Sequence, residues 1–149
     1  MLNELHIIIV SMTIMTLLLA VTLHYEAFVR LSAWLERSGQ RGRQRILMMV
    51  IALILVHAVE ITLFATTAWI LLEYVSGSGN IIAPYPVLFL DHVYLSSITF
   101  TTLGYGEIYP EGPIRFLYGT EALSGFALIT WSASLTFIEM QRHWGSTQR

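Results

Sequence analysis

Long apolar runs separated by short polar stretches dominate the pattern of the chain. Three runs, at residues 5–25, 46–72 and 116–140, reach the length of about 20 residues that a helix needs to cross a bilayer. A shorter stretch at 91–101 would span about 16 Å as a helix, roughly half of the hydrocarbon core. The pattern therefore predicts three membrane-spanning helices and one re-entrant half-helix.

The polar stretches divide the chain into four parts. We expect a first membrane helix at 1–30, an arginine-rich loop at 31–45, a larger membrane unit at 46–140 and a short tail at 141–149. Gly and Ser residues after the second run, followed by Pro84 and Pro86, exclude a continuous helix between the second run and the half-helix.

The half-helix leads into an unusual loop. Asp91 is expected as its N-cap or as an acid in its first turn, and the sequence then reads Thr-Thr-Leu-Gly-Tyr-Gly-Glu at 101–107. Gly104 and Gly106 tolerate positive φ, so the backbone there can turn a row of carbonyls to one side and replace the water around a cation. An isolated Gly-Tyr-Gly fits a surface turn better, but the flanking helices favour an ion filter.

Composition supports a membrane protein and narrows its chemistry. Only 12% of the residues are charged, compared with about 25% in soluble domains. The chain has no cysteine, which excludes disulfide and thiolate chemistry. No basic cluster resembles a nucleic-acid arm, and no catalytic residues stand out, so we expect neither a nucleic-acid partner nor an enzyme.

The distribution of charge predicts the orientation. Five of the eight basic residues lie in or beside the first loop: Arg30, Arg37, Arg41, Arg43 and Arg45. The positive-inside rule places that loop in the cytoplasm, so the N-terminus is outside and the C-terminus, with Arg142 and Arg149, is inside the plasma (inner) membrane. The outside segment 73–111 contains four acids and no Lys or Arg, and such a vestibule concentrates cations.

Segment 96–110, Ser-Ser-Ile-Thr-Phe-Thr-Thr-Leu-Gly-Tyr-Gly-Glu-Ile-Tyr-Pro, resembles the tetrameric potassium channel pore-domain family, in particular its small bacterial two-helix members. The resemblance covers about residues 46–140. It implies an outer helix at 46–74, a pore helix at 91–101, a filter at 102–106 and an inner helix at 114–140, with helix 1–30 as an addition.

The same resemblance implies the oligomer, the ligand and the residues that bind it. It implies an all-α fourfold homo-oligomer in membrane lipid that conducts K⁺ passively, with K⁺ as its cofactor-like ligand. Gly125 lies within one residue of the family's inner-helix hinge. The carbonyls that match the ion-binding filter, with K⁺ at the first four, are those of Thr102, Leu103, Gly104, Tyr105 and Gly106.

Several positions depart from the family pattern. Leu103 and Glu107 replace the usual valine and aspartate, and Tyr94 and Leu95 stand where many members have tryptophans. Ile98 stands where some members have a buried glutamate. The filter must therefore be braced differently, and the predicted supports are Thr101, Glu107, Ser97, Thr99, Glu60, Glu121 and His57.

Three of these supports lie inside membrane spans, where a charged carboxylate costs about 2.5–3.5 kcal/mol on insertion scales. We expect Glu60 or His57 to approach Glu121 or the pore-helix hydroxyls of 96–99. Alternatives are pH sensing and a metal site formed by the same three side chains. His24 is expected near the cytoplasmic interface.

Residues of the third span have simpler expected roles. Ser132, Ser134 and Thr136 are expected to offer hydroxyls to water in the pore. Gly119 is expected to allow close helix packing, and Gly125 either packing or a bend.

Two functions compete with selective potassium conduction. A weakly selective K⁺/Na⁺ channel of the same architecture would follow from a loosely braced filter. A non-conducting membrane scaffold or metal-binding protein would follow if the polar groups of the second span bind a metal.

Overall fold

The computed structural model describes residues 2–38 and 42–145, and it is built mainly from helices. The elements, in chain order, are α1 (Leu2–Arg37), α2 (Arg43–Tyr74), β1 (Asn80–Ile82), α3 (Phe89–Phe100), β2 (Tyr109–Glu111) and α4 (Arg115–Gly145). Three segments of these helices are long and apolar enough to cross a membrane: Glu4–Arg37, Arg43–Tyr74 and Arg115–Gln141. The predicted all-α membrane protein with three spans is confirmed.

The connection between α1 and α2 is shorter than the predicted loop at 31–45. α1 continues to Arg37 and α2 already begins at Arg43, so most of that stretch is helical. The reason is packing, because Leu35 is buried against Met49 and Leu53. Arg41 lies outside the described residues, and so does the end of the tail at 146–149.

The ends of α3 and α4 differ from the predicted bounds by a few residues. α3 starts at Phe89 rather than at residue 91, and Asp91 is not the N-cap but lies in the first turn. Its Oδ2 accepts the backbone N–H of Leu88 at 2.7 Å, which satisfies one of the free donors of a helix start. α4 extends through Gly145, beyond the expected end at residue 140.

A small two-stranded sheet joins the segment before α3 to the segment that follows the loop. β1 pairs antiparallel with β2, with Ile81 opposite Pro110, and the sequence analysis predicted neither strand. Ser78 fastens this segment to two helices, because its Oγ donates to the Leu71 carbonyl at 2.9 Å and its own carbonyl accepts the Ile114 N–H at 2.7 Å. The segments before and after the half-helix are therefore tied to each other and to the ends of α2 and α4.

The short helix α3 packs between α2 and α4, and α1 packs on the other side of these two long helices. Phe64, Phe100 and Leu117 form the centre of the core and have no exposed surface. α1 joins that core through Ile9 and Ala20. The hydroxyls of Thr16 and Thr67, 2.9 Å apart, add a buried hydrogen bond between α1 and α2.

Candidate functional site

The loop after α3 has left-handed backbone at every second residue. Thr102, Gly104 and Gly106 have φ angles of 61°, 52° and 87°, and the residues between them do not have positive φ. An extended strand points successive carbonyls to opposite sides, and a left-handed residue at every second position removes this alternation. The two glycines thus have the predicted conformation, and Thr102 shares it although it is strained for a β-branched residue.

Two backbone hydrogen bonds tie this loop to the end of α3. The Thr102 N–H donates to the Thr99 carbonyl at 2.9 Å, and the Gly104 N–H donates to the Ile98 carbonyl at 3.0 Å. The C-terminal end of a helix carries a partial negative charge. The loop is consequently fixed next to a helix end that favours a cation.

The side chains of the loop are uncovered within one chain. Leu103 is 61% exposed and Tyr105 is 68% exposed. The described residues of the same chain therefore do not pack over these two side chains.

One side chain of α3 does brace the far end of the loop. The Tyr94 hydroxyl donates a hydrogen bond to Oε1 of Glu107. Tyr94 occupies one of the positions where the resembling family often has tryptophan. The hydrogen bond to Glu107 raises the pKa of Tyr94 to about 12. The neutral phenol is therefore the form that holds Glu107 at physiological pH.

Two other predicted supports bond to α3 itself. Ser97 Oγ donates to the Tyr94 carbonyl at 2.7 Å, and Thr101 Oγ1 donates to the Ser97 carbonyl at 2.7 Å. Thr99 contributes its carbonyl to the Thr102 N–H. These residues shape the end of the helix, and only Thr99 makes one of the bonds to the loop.

Glu121 of α4, one of the predicted supports, contacts α3, although the sequence predicted that Glu60 or His57 would be its partner. It has no exposed surface, and its Oε2 accepts the Ser96 hydroxyl at 3.3 Å. Its other oxygen has no hydrogen-bond partner among the described residues. The contact places one buried carboxylate directly behind the helix that carries the loop.

Gly125 lies where α4 closely approaches the end of α3. A Cβ at this position would lie 2.8 Å from the Phe100 Cα and would clash with the Phe100 carbonyl. The structure therefore gives Gly125 a packing role, while a hinge there stays a prediction. A Cβ at Gly119 meets no described atom within 4 Å, so the expected packing role of Gly119 is not seen within one chain.

The other polar groups of the spans form a separate cluster, which we call the histidine ring: His24, His57, Glu60 and Ser132. His24 Nδ1 lies 2.9 Å from one oxygen of Glu60, and His57 Nδ1 lies 2.8 Å from the other. Ser132 Oγ lies 3.3 Å from His24 Nε2 and 3.2 Å from His57 Nε2. The cluster joins α1, α2 and α4.

This cluster corrects four expectations. Glu60 pairs with two histidines and not with Glu121 or with the pore-helix hydroxyls. His24 is fully buried rather than at the interface, and Ser132 is buried against the histidines. The expected metal set of His57, Glu60 and Glu121 is not assembled, and His24 takes the place of Glu121.

A family model described as "Ion channel" matches residues 49–142. The chain belongs to the ion channel family. No curated protein and no solved structure matches the chain.

The matched range shows which elements of this ion channel belong to the family's common region. It takes in nearly all of α2, the whole of α3, the loop and most of α4, while α1 lies outside it. The resemblance to small potassium-channel-like pore domains is thereby supported at the level of the family. α1 is an additional helix of this multi-pass membrane protein.

The channel also contains a buried histidine in the first turns of α3. His92 of α3 is only 7% exposed and its Nδ1 has no partner among the described residues. It lines a cavity of about 270 Å³ together with Glu73 and Asn80. Burial lowers the pKa of His92, although the neighbouring Asp91 carboxylate acts in the opposite direction.

Sequence reasoning missed His24 and Ser132 as partners of Glu60. A weak signal was present, since each span has a polar residue that needs a partner in a membrane. The rotation of three helices about their axes decides which of these residues meet, and no local pattern records that rotation.

Proposed function

We propose that the chain is one subunit of a potassium-selective channel in which four identical copies surround the pore. The observation that carries this proposal is the alternation of left-handed residues from Thr102 to Gly106 at the end of a half-length helix. Such a backbone can present the carbonyls of 102–106 as a ladder that replaces the water of a K⁺ ion. K⁺ is the transported substrate, and no bond is made or broken.

Electrostatics favour a cation along the whole of this path. The 12 residues of α3 form a helix of about 18 Å, whose negative end points to the filter. Segment 73–111 carries Glu73, Asp91, Glu107 and Glu111 without any Lys or Arg. Acidic side chains at an outer mouth raise the local concentration of cations.

The exposed surface of one chain supports the homotetramer. Members of the ion channel family generally act as oligomers. Leu103 and Tyr105 of the filter are exposed, and so are Leu123 and Phe126 on α4, at 71% and 60%. Neighbouring copies and membrane lipid would cover these side chains, and the filter would be complete only at the shared axis.

The arginines support an orientation in the plasma membrane. Arg37 ends α1, and Arg43 and Arg45 begin α2. With the positive-inside rule, this junction lies in the cytoplasm, the N-terminus lies outside and the C-terminus lies inside.

A weakly selective cation channel is the second candidate, and the sparse bracing of the loop favours it. The one side-chain hydrogen bond between α3 and residues 102–107, among the described residues, is that of Tyr94 with Glu107. A filter that widens readily admits hydrated or partly hydrated Na⁺ as well as K⁺.

A flux assay in liposomes separates these functions. The purified chain is reconstituted, and the uptake of K⁺ and of Na⁺ is measured for the wild type, Gly104→Ala and Gly119→Ala. Gly104 has a φ of 52°, so a Cβ there strains the filter, whereas Gly119 has open space.

We expect K⁺ uptake to exceed Na⁺ uptake at least about tenfold in the wild type, equivalent to about 1.4 kcal/mol. Gly104→Ala should abolish uptake and Gly119→Ala should retain it. Equal uptake of both ions would support the weakly selective channel. No uptake by a correctly folded wild type would contradict both candidates and favour the non-conducting scaffold.

A further inference from the structure

The histidine ring is deeply buried and closed by four contacts. His24 and Glu60 have no exposed surface, and the His57 side chain is 16% exposed. The two imidazole rings lie 5.3 Å apart in a stacked arrangement. One nitrogen from each histidine and one oxygen of Glu60 lie within 4.8 Å of one another.

The ring contains fewer protons than its contacts require. An ionised carboxylate only accepts hydrogen bonds, so both Nδ1 atoms donate to Glu60, and the Nε2 atoms of neutral histidines are then acceptors. Ser132 has one hydroxyl proton and lies within reach of both Nε2 atoms. One buried nitrogen lone pair thus faces an oxygen without a proton between them.

The ring also carries a negative charge that no basic side chain of the spans offsets. Residues 46–72 and 116–140 contain neither Lys nor Arg, and residues 5–25 contain neither as well. A buried carboxylate without a positive partner is costly. One bound cation would accept the unmatched nitrogen lone pair and would also offset the negative charge of Glu60.

We propose that the histidine ring is a binding site for a divalent transition metal, with Zn²⁺ as the ion that fits best. Two imidazoles and one carboxylate form a ligand set that zinc accepts with tetrahedral geometry, with water in the fourth position. With the ion on the Nδ1 side beside Glu60, both Nε2 atoms would keep a proton, and the Ser132 hydroxyl oxygen would accept from them. Hard ions such as Mg²⁺ prefer oxygen ligands and hold water, so a site with two nitrogens disfavours them.

The structure also provides a route to the site. A cavity of about 370 Å³ between α2 and α4 is lined by His57 and Ser132, and otherwise mainly by apolar residues such as Leu53 and Ile129. The cavity reaches the partly exposed side of the histidine ring. A metal ion can therefore reach its ligands without separation of α1 from the other helices.

A bound metal would fasten α1 to the pore domain. His24 belongs to α1, His57 and Glu60 to α2, and Ser132 to α4. α1 lies outside the region that matches the ion channel family. The ion would thus couple the additional helix directly to α2, and to α4 through the Ser132 hydroxyl beside the two Nε2 atoms, independently of which ion the channel conducts.

The test uses the full chain in detergent, purified with a tag that contains no histidine. After treatment with a chelator and its removal, the protein is incubated with Zn²⁺ or Mg²⁺, and bound metal per chain and thermal unfolding are measured. The variants are His24→Gln and Glu60→Gln, which keep polar side chains of similar size. His92→Gln is the matched control, because it removes a buried histidine outside the ring.

We expect about one Zn²⁺ per wild-type chain, an increase in the unfolding temperature with Zn²⁺ and no increase with Mg²⁺. His24→Gln and Glu60→Gln should weaken Zn²⁺ binding at least about tenfold, and His92→Gln should bind as the wild type does. The proposal is overturned if the folded wild type binds no Zn²⁺, in which case a proton completes the ring. It is also overturned if the ring variants bind Zn²⁺ as tightly as the wild type.

Discussion

The filter loop and the histidine ring differ in how much of their surroundings one chain provides. The ring is enclosed by three helices of the same chain, and each of its polar groups lies within 3.3 Å of another group of the ring. The filter has its left-handed backbone in place, yet Leu103 and Tyr105 stay largely exposed. The ring is complete within one chain, whereas the proposed filter would be completed only by the neighbouring copies of the proposed tetramer.

The difference has a consequence for variants in the two regions. Changes in the ring and in the contacts around Glu121 should act on the stability of the subunit. Changes at the edge of the filter should act on conduction and selectivity with little effect on the folded subunit. A variant at the contact between the two regions should affect both.

Gly125→Ala is expected to have the largest effect, because Gly125 lies where α4 meets the end of α3. The added Cβ would press against the Phe100 backbone, which cannot rotate away as a side chain can. Overpacking of this kind costs about 1–3 kcal/mol, and the filter that follows Phe100 would be displaced. We expect lower thermal stability in detergent and lost flux.

Gly119→Ala is the matched control for that change, since both glycines lie on α4 and no described atom lies near a Cβ at Gly119. Equal stability and equal flux of Gly125→Ala and Gly119→Ala would show that α4 does not approach the Phe100 backbone as closely as described.

Ser96→Ala is expected to have the next largest effect. It removes the hydroxyl that donates to the buried Glu121, and a buried acceptor without its donor costs about 1–3 kcal/mol. The unfolding temperature in detergent should fall. Ser97→Ala should lower it less, because the neighbouring Ser97 hydroxyl bonds only to the backbone of its own helix. Equal losses would show that Glu121 does not depend on Ser96.

Tyr94→Phe tests whether a change beside the filter loop alters selectivity without altering stability. The variant loses the hydrogen bond to Glu107, which is worth about 0.5–1.5 kcal/mol. The phenyl group of the phenylalanine would still pack as the tyrosine side chain does. The ratio of K⁺ to Na⁺ uptake should fall, and the unfolding temperature should change little. Tyr74→Phe, at a tyrosine that is 72% exposed, should leave the ratio unchanged, and an unaltered ratio in Tyr94→Phe would rule out the brace.

His92→Gln should have the smallest effect, visible only in the pH dependence of stability. Because burial lowers the pKa of His92 in the folded chain, the unfolded chain binds a proton first as the pH falls below about 6.5. The contribution of His92 is therefore present above that pH and is lost in mild acid. The difference in unfolding temperature between pH 7.5 and pH 5.5 should be smaller in His92→Gln than in the wild type.

The sequence predicted those features that depend on neighbouring residues. The three spans follow from continuous apolar length, the half-helix from a short apolar stretch, and the conformations of Gly104 and Gly106 from the lack of a side chain. The positive φ of Thr102 was not predicted, since local preference opposes it, and the surrounding structure imposes it.

The features that the sequence did not predict depend on distant contacts. His24 meets Glu60 across 36 positions and Ser132 across 108, and helix rotation alone decides these pairs. The strands β1 and β2 have three residues each, too few for a period of two to be recognised. The continuation of α1 to Arg37 follows from the burial of Leu35 against α2.

The reversal potential of the reconstituted channel is the most direct test of the central claim that Thr102–Gly106 forms a potassium filter. With a tenfold gradient of K⁺ and an opposite gradient of Na⁺ across a planar bilayer, we expect a reversal potential close to the potassium equilibrium potential, about 59 mV in magnitude. Gly104→Ala should show no such current. A wild-type reversal potential near zero would contradict selective potassium conduction.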